Sequence, residues 1–430
     1  MKLPLSILRT VVVSLLLIFL GSVAEYRFNL VQRIPIKFIQ EDATYRPHDV
    51  DPTTISNLLN STAADQHNTN DFNVFWQAWK LLEDNYVETD KIETSKMIDG
   101  AIAGLTASIG DPYTTYLPKE DKIRTGEDLA GSFFGVGIEL GYVDGILAVM
   151  SPLTGMPAEK AGVQAGDMIL NIKDETAGVD EQTTNFSLTR AVDLIRGPKD
   201  TAVTLTLFRK NNGTEPFEVT LTRAEIVVKS AEVEFVTKAG KRVAHIKLSR
   251  FGERTIEEWN AIVQQILAQK GLIQGIVLDM RNNPGGFFDD AIGIASDFIP
   301  SGVVVSQKGR TIDKSFEATG NARLQGIPLV MLVNGGSASA SEIVAGALKD
   351  QLNVPLIGKK TFGKGTVQDR RELTNGGALH ITIAKWMMPA GEWIHETGIP
   401  VTVEAEDDPK TEEDEMLVKA VETLGSKKVQ

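Results

Sequence analysis

Apolar positions recur every three to four residues from Val74 onward. Val74, Phe75, Ala78, Trp79, Leu82 and Tyr86 predict one amphipathic helix, and Met97, Ile98, Ile102 and Leu105 predict a second over 95–108. The period then shortens. Residues 131–223 read as a self-contained β-rich module: a glycine-spaced turn, Phe134-Gly135-Val136-Gly137-Ile138, leads into a strand, a short helix over 157–163 ends in glycine, and a turn and strand fill 164–172. A helix near 188–195 and a strand over 202–207 complete it. From about 225 strand and helix alternate. Residues 243–248 predict a strand, and Thr255 with Glu258 predicts a capping box opening a helix with Ile256, Trp259, Val263 and Ile266 inward. Residues 275–280 read as a buried strand, 281–286 as a loop, and the next stretch as a helix to about Phe298. Strands over 303–305, 329–333 and 354–357 extend the βαβ pattern, which predicts a parallel sheet between helices. Ligand sites in such sheets lie beyond the carboxyl ends of strands, where 282–286 and 335–341 fall. Residues 404–430 are acidic, then amphipathic through Met416, Leu417, Val418, Ala420 and Val421, and predict a terminal helix that docks or dimerises.

The amino end reads differently. Lys2 and Arg9 precede an uncharged, mostly apolar run over 10–24, and Ser22-Val23-Ala24 fits a small-x-small cleavage site. Residues 1–24 are therefore expected to be a signal or membrane anchor that places the bulk of the chain outside the cytoplasm, in the periplasm or at the cell surface. Polar residues 25–71 read as a linker. Segment 72–120 is expected to form a small helical domain or dimer arm, which makes a homodimer the expected assembly.

Charge and composition then exclude several kinds of chemistry. A net charge of −13 with no basic block argues against a nucleic-acid surface. The chain has no cysteine, which removes thiol catalysis, thiolate metal sites and disulfides together. Its five histidines are not paired at metal-ligand spacing, so no metal and no other cofactor is expected.

What remains is hydroxyl chemistry. In Val333-Asn334-Gly335-Gly336-Ser337-Ala338-Ser339-Ala340-Ser341-Glu342-Ile343 an apolar strand enters a sharp turn and a helical pattern leaves it. Ser339 with Glu342 three residues on is a capping box, and capping is what most serines do there. The same turn can also present a nucleophile to the N–H groups of a helix start, which favour negative charge. Lys364 lies between Gly363 and Gly365. A solvated lysine needs no such flanks, whereas a lysine squeezed into a site does, and burial lowers its pKa toward that of a general base. Serine with a neutral lysine is a known nucleophile–base pair. A competing pattern overlaps it: residues 358–364 match most of a phosphate-binding loop, but Gly365 stands where the hydroxyl is required and a strand-like Thr366-Val367-Gln368 follows. On the residues alone Ser337 and Ser341 compete with Ser339.

Three stretches carry a resemblance. The run "PAEKAGVQAGDMILNI" (157–172) resembles a PDZ domain. With "RNNPGG" (281–286), "GSASASEI" (336–343) and "GKGTVQ" (363–368), the chain resembles, over roughly 72–400, the carboxy-terminal processing (tail-specific) serine peptidases. The resemblance implies an α/β fold. Its ClpP/crotonase-like core (225–403) carries an inserted PDZ module (131–223), preceded by the helical segment and followed by the C-terminal helix (404–430). It implies Ser339 as nucleophile, Lys364 as base and Gln368 as the residue orienting the lysine. Oxyanion donors would be the N–H of Ala340 and one from Gly285 or Gly286. Protein substrates would be held by their C-termini in the nest of Phe134, Gly135, Val136 and Gly137, with Arg196 sensing them and a loading or regulatory partner supplying them. The chain departs from the family pattern in 385–401, which lacks an aspartate after its last proline and has Met388 where threonine is common; these changes are expected to touch packing or the cleft rim. The alternative is a non-catalytic PDZ adaptor that binds protein tails on an inert scaffold.

Overall fold

The computed structural model describes residues 69–210, 215–408, 411 and 413–424. The expected signal or anchor (1–24) lies outside them, as does the expected linker except for its last three residues, which open a helix instead. The chain divides into two units, Met1–Ile92 and Glu93–Gln430. In the first, helix α1 (Thr69–Asn85) follows the predicted apolar stripe, and Phe75, Trp76 and Trp79 cluster with ring centroids 5.1–6.0 Å apart. Among the described residues no helix is long and apolar enough to cross a membrane.

The second unit begins with α2 (Thr94–Ala107), the short strand β1 (Thr115–Leu117) and α3 (Lys119–Ala130). The β-rich module follows: β2 (Ser132–Gly135), β3 (Ile138–Val143), β4 (Ile146–Pro152), α4 (Pro157–Lys160), β5 (Met168–Asp174), β6 (Val179–Gln182), α5 (Leu188–Ile195), β7 (Ala202–Phe208), β8 (Phe217–Thr222) and β9 (Ala224–Val227). Strands β3-β4-β5-β7-β8 form one antiparallel sheet, with β6 added to β5. Val149, Ile169, Ile172, Leu205, Leu207 and Leu221 form its core against Ala191 and Ile195 of α5. The antiparallel ribbon of β2 and β9 carries the chain into and out of the module.

The remainder holds β10 (Ala231–Lys238), β11 (Lys241–Leu248), α6 (Thr255–Ala268), β12 (Gly275–Asp279), α7 (Phe288–Ser296), β13 (Val303–Gly309), β14 (Asp313–Glu317), β15 (Leu329–Val333), α8 (Ala340–Leu352), β16 (Leu356–Gly358), β17 (Thr366–Glu372), β18 (Ala378–Met387), β19 (Val403–Glu404) and α9 (Glu415–Thr423). The predicted parallel sheet is present in the order β10-β11-β12-β15-β16-β19, antiparallel only between β10 and β11. Its strands alternate faces. Ile246, Leu278 and Met331 pack with Trp259, Val344 and Leu348 of the helices on one side. Val277, Val330, Leu332 and Ile357 pack with Met416, Leu417, Ala420 and Val421 of α9 on the other, so the terminal helix docks onto the sheet.

Two expectations need correction. The strand near 303 does not join the parallel sheet: β13 turns back through β14 and pairs with β18, inside a second, antiparallel sheet of β1-β18-β13-β14 with β17 on β18. A hairpin connection permits antiparallel pairing without a crossover helix. The predicted capping box of α6 does not form either. Thr255 Oγ1 accepts from Gly252 N–H (2.8 Å), while Glu258 Oε2 accepts from Ser230 N–H (2.7 Å) and Ala231 N–H (3.1 Å). A neighbouring strand's start outcompetes the local partner.

Candidate active site

The loops that follow β12 and β15 meet side by side. Asn282 N–H donates to Asn334 Oδ1 and Asn334 Nδ2 donates to Asn282 Oδ1, both at 2.9 Å. The Ser337 hydroxyl donates to Met280 O (2.8 Å) and accepts from Asn334 N–H (2.9 Å), and the Ser341 hydroxyl donates to Asn283 O (3.0 Å). Both serines are buried, their hydroxyls committed to stitching the two loops together. Ser339 is the partly exposed serine of the three. Its backbone sits at φ +55°, where a non-glycine residue costs about 1–3 kcal/mol, and its N–H donates to Glu342 Oε2 at 2.8 Å. Of the three serines, Ser339 is the one whose hydroxyl is not bonded to the loop after β12.

Gly285 presses against this turn and Gly286 against Phe251. A Cβ on Gly285 would lie 2.8 Å from Ser339 Cβ and 2.9 Å from Ala340 N, and one on Gly286 would lie 1.8 Å from Phe251 O. Only glycine permits that approach. Gly285 N–H donates to Asn283 Oδ1 (2.9 Å) and is therefore already taken. Among the described residues the N–H groups of Gly286 and Ala340 have no acceptor.

The lysine segment arrives at the same place through Glu342. This fully buried carboxylate accepts from Thr361 Oγ1 (2.6 Å) and Gly363 N–H (2.6 Å) on one oxygen, and from Lys364 N–H (2.9 Å) on the oxygen that also takes Ser339 N–H. The backbones of Ser339 and Lys364 are therefore no further apart than two hydrogen bonds to a shared atom. Sequence reading made Glu342 a capping residue alone; the run Ser-x-x-Glu carried no sign of its reach to a loop about twenty positions downstream.

The glycines flanking Lys364 face the chain at 394–398. A Cβ on Gly365 would be 2.7 Å from Trp393 Nε1, and one on Gly363, at φ +95°, would be 2.8 Å from Gly398 N. Met388 packs in the core against Gly346, as its expected packing role requires, but the residues just beyond it shape the lysine pocket itself. Lys364 is half-buried. Burial pushes its amine down, and the carboxylates of Asp111 and Glu342 offset part of that. It runs into strand β17, where a phosphate-binding loop needs a helix N-terminus. Gln368, on β17, donates from Nε2 to Thr366 Oγ1 (2.9 Å) and Thr382 Oγ1 (3.1 Å), and among the described residues it makes no hydrogen bond to the lysine.

In the β-rich module, Val136 O and Gly137 O accept from Ala158 N–H (3.0 Å) and Leu153 N–H (2.9 Å). Among the described residues the N–H groups of Val136 and Gly137 have no acceptor. Phe134 and Gly135 end β2, beside this turn. Arg196, at the end of α5, lies over the Phe133 ring (3.7 Å) and 3.8 Å from Glu127 Oε2, with its Cγ 3.9 Å from a Cβ built on Gly135. Arg196, which the resemblance implied as a substrate sensor, thus lies beside the turn at 134–137.

Known proteins are similar to this chain in sequence and fold. The Peptidase family S41 matches residues 242–405, the PDZ domain family matches 125–208, and the activating protease CtpB N-terminal domain matches 38–121. The chain is 36% identical over 331 residues to the carboxy-terminal processing protease CtpA of Bacillus subtilis (strain 168), covering 77% of this chain and 68% of that protein. To CtpB of the same organism it is 34% identical over 329 residues, covering 76% and 66%. The chain therefore spans about two thirds of the length of these relatives. The crystal structure of an S41 protease from Bacteroides fragilis overlays with a TM-score of 0.50 at 18% identity, over 80% of this chain and 95% of that one, a likeness of fold.

Proposed function

Because the chain belongs to the carboxy-terminal processing proteases, serine-type peptidases of family S41 that carry a PDZ domain, we propose that it is an endopeptidase working through Ser339 and Lys364. Ser339 Oγ attacks the peptide carbonyl, and Lys364 Nζ takes its proton and returns it to the leaving amine as the C–N bond breaks. Water activated by the same amine then hydrolyses the Ser339 ester, and the N–H groups of Ala340 and Gly286 hold the oxyanion in both steps. The single observation behind this is the Glu342 oxygen that accepts from both backbone nitrogens. Gln368 orients the lysine in a substrate-bound state in which its amide leaves Thr366 and Thr382.

Substrate is held by its C-terminus. The free N–H groups of Val136 and Gly137 cradle the terminal carboxylate, the peptide lies along β3 as an added strand, and Arg196 reads its arrival. An extended or unfolded segment of the same protein then reaches Ser339. The apolar run at 10–24 exports the chain and anchors it in the membrane, and the aromatic face of α1 pairs two copies.

The test is cleavage of an unfolded reporter protein with a free apolar C-terminus. Ser339→Ala and Lys364→Ala are each expected to abolish cleavage while a labelled C-terminal peptide still binds. Undiminished cleavage by either variant overturns the mechanism, and loss of cleavage-independent labelling by a serine-reactive probe in Ser339→Ala separates an enzyme from a tail-binding adaptor.

A further inference from the structure

Residues 110–114, between α2 and β1, look in the sequence like a plain connection. In the structure they enter the site. Lys364 Nζ lies 5.0 Å from the centroid of the Tyr113 ring. That ring is backed by His395, whose edge meets it at 5.8 Å, and Trp393 stacks on His395 at 4.9 Å. Trp393 Nε1–H donates to Gly365 O (2.8 Å), the residue after the lysine, so the contacts close a circle around the amine. The foot of the loop is fixed as well. Tyr113 N–H and the Thr114 hydroxyl donate to the two oxygens of Asp111 (3.0 and 2.7 Å), and Thr382 N–H donates to Thr114 Oγ1 (3.1 Å). Thr382 is also the residue that takes the Gln368 amide.

We propose that Tyr113 is a positioning residue for peptide cleavage: its ring holds Lys364 Nζ in place and stabilises the ammonium that forms when the lysine takes the serine's proton. The inference rests on Lys364 being the base. A ring face attracts an ammonium most strongly where water is excluded. Asp111 from the same loop, Glu342 from α8 and His380 from β18 face this amine, and His395 lies behind the ring, near Asp111. The two carboxylates favour the ammonium and the surrounding burial opposes it; the ring acts on the side of the carboxylates. Burial, with Glu342, Asp111 and Glu396, pushes the Tyr113 phenol up, which favours the neutral ring. His395 is held in the stack with a buried Nδ1 that has no hydrogen-bond partner among the described residues. Its place is set by ring contacts, which keep Tyr113 pressed toward the lysine.

The experiment compares pH profiles of kcat/KM for the wild type, Tyr113→Phe and Tyr113→Leu, with Lys364→Ala as reference. Tyr113→Phe keeps the ring and is expected to overlay the wild type. Tyr113→Leu keeps the pocket dry but loses the ring; its acid limb is expected to move to lower pH by about half to one unit, and its plateau to fall. The difference between variants is the readout, because His380 and His395 are present in every one of them. A Tyr113→Leu profile that superimposes on the wild type, or a Tyr113→Phe profile shifted as far as that of Tyr113→Leu, overturns the role of the ring. Activity in Lys364→Ala would instead overturn the dyad itself. Thermal midpoints of the variants, and Tyr113→Phe as the conservative rescue, separate a lost ring from a lost fold.

Discussion

At the scale of single residues the site turns on Glu342. A carboxylate has two acceptor oxygens and no donor, which suits four converging donors in a dry place. Glu342→Gln puts an NH2 group against N–H donors. It is expected to lower kcat/KM by about a hundredfold and stability by about 2–4 kcal/mol, measured by cleavage kinetics and chemical denaturation. Near-wild-type values would mean that the shared acceptor does not hold the two strands of the site together. This residue also marks where reading the sequence stops. Ser339 and Lys364 are legible because each sits in unusual company, alternating alanines in one case and glycines in the other. Glu342 is hidden because a glutamate three positions after a serine already has a local explanation. Tyr113 is hidden because nothing in Asp-Pro-Tyr-Thr says which distant strand the turn will lean on.

At the scale of elements, the first turn of α7 follows the glycine loop directly and carries Asp289 and Asp290. Burial, with the neighbouring charge of Asp289, pushes the Asp290 carboxyl up to about 6, and its Oδ2 is a buried atom with no partner among the described residues. The folded value lies above the unfolded one of 3.8, so folding favours the protonated form. The stability this contributes is full below about pH 4 and is lost as pH rises through about 6. Asp290→Asn is therefore expected to stabilise the protein at pH 7, by about 1–2 kcal/mol after allowance for partial solvent screening, and to leave it unchanged near pH 4. Thermal midpoints across pH 4–8 check this; a gain equal at both ends would exclude titration as its cause. Elements also explain the missed sheet. Buried parallel strands announce themselves as apolar runs, as in Leu329–Val333, whereas the half-buried β13, β17 and β18 mix polar and apolar positions and pair by hairpins.

At the scale of the whole molecule, a continuous set of contacts joins the turn at 134–137 to the glycine loop. Arg196 faces Glu127 of α3. Near the end of that helix, Leu129 O accepts from Glu253 N–H (2.9 Å), and a Cβ on Gly252 would lie 2.2 Å from it. Next along the chain, Phe251 N–H donates to Gly285 O and Phe251 O accepts from Phe287 N–H, both at 2.9 Å. Packed backbone therefore connects the proposed tail site beside Arg196 to the loop under Ser339. Gly252→Ala, which must displace Leu129, is expected to cut cleavage roughly tenfold or more while leaving the affinity for a C-terminal peptide within about twofold. Equal losses in both would show a damaged fold rather than a broken connection.

By itself, the sequence determined most of the helices, the buried strands of the parallel sheet, the β-rich module, the family, and the short list of groups able to do chemistry. These are properties of periods of two or four residues and of contiguous motifs, so local chain physics writes them in order. Tertiary structure decided that two of the three serines are tied to the neighbouring loop, that the Gly285 N–H is spent on Asn283, that one carboxylate serves two distant segments, and that a tyrosine from the turn at 110–114 lies beside the lysine. Apart from the glycine bond, these depend on groups 19 to about 250 positions apart meeting in a dry space, where a buried donor must find an acceptor.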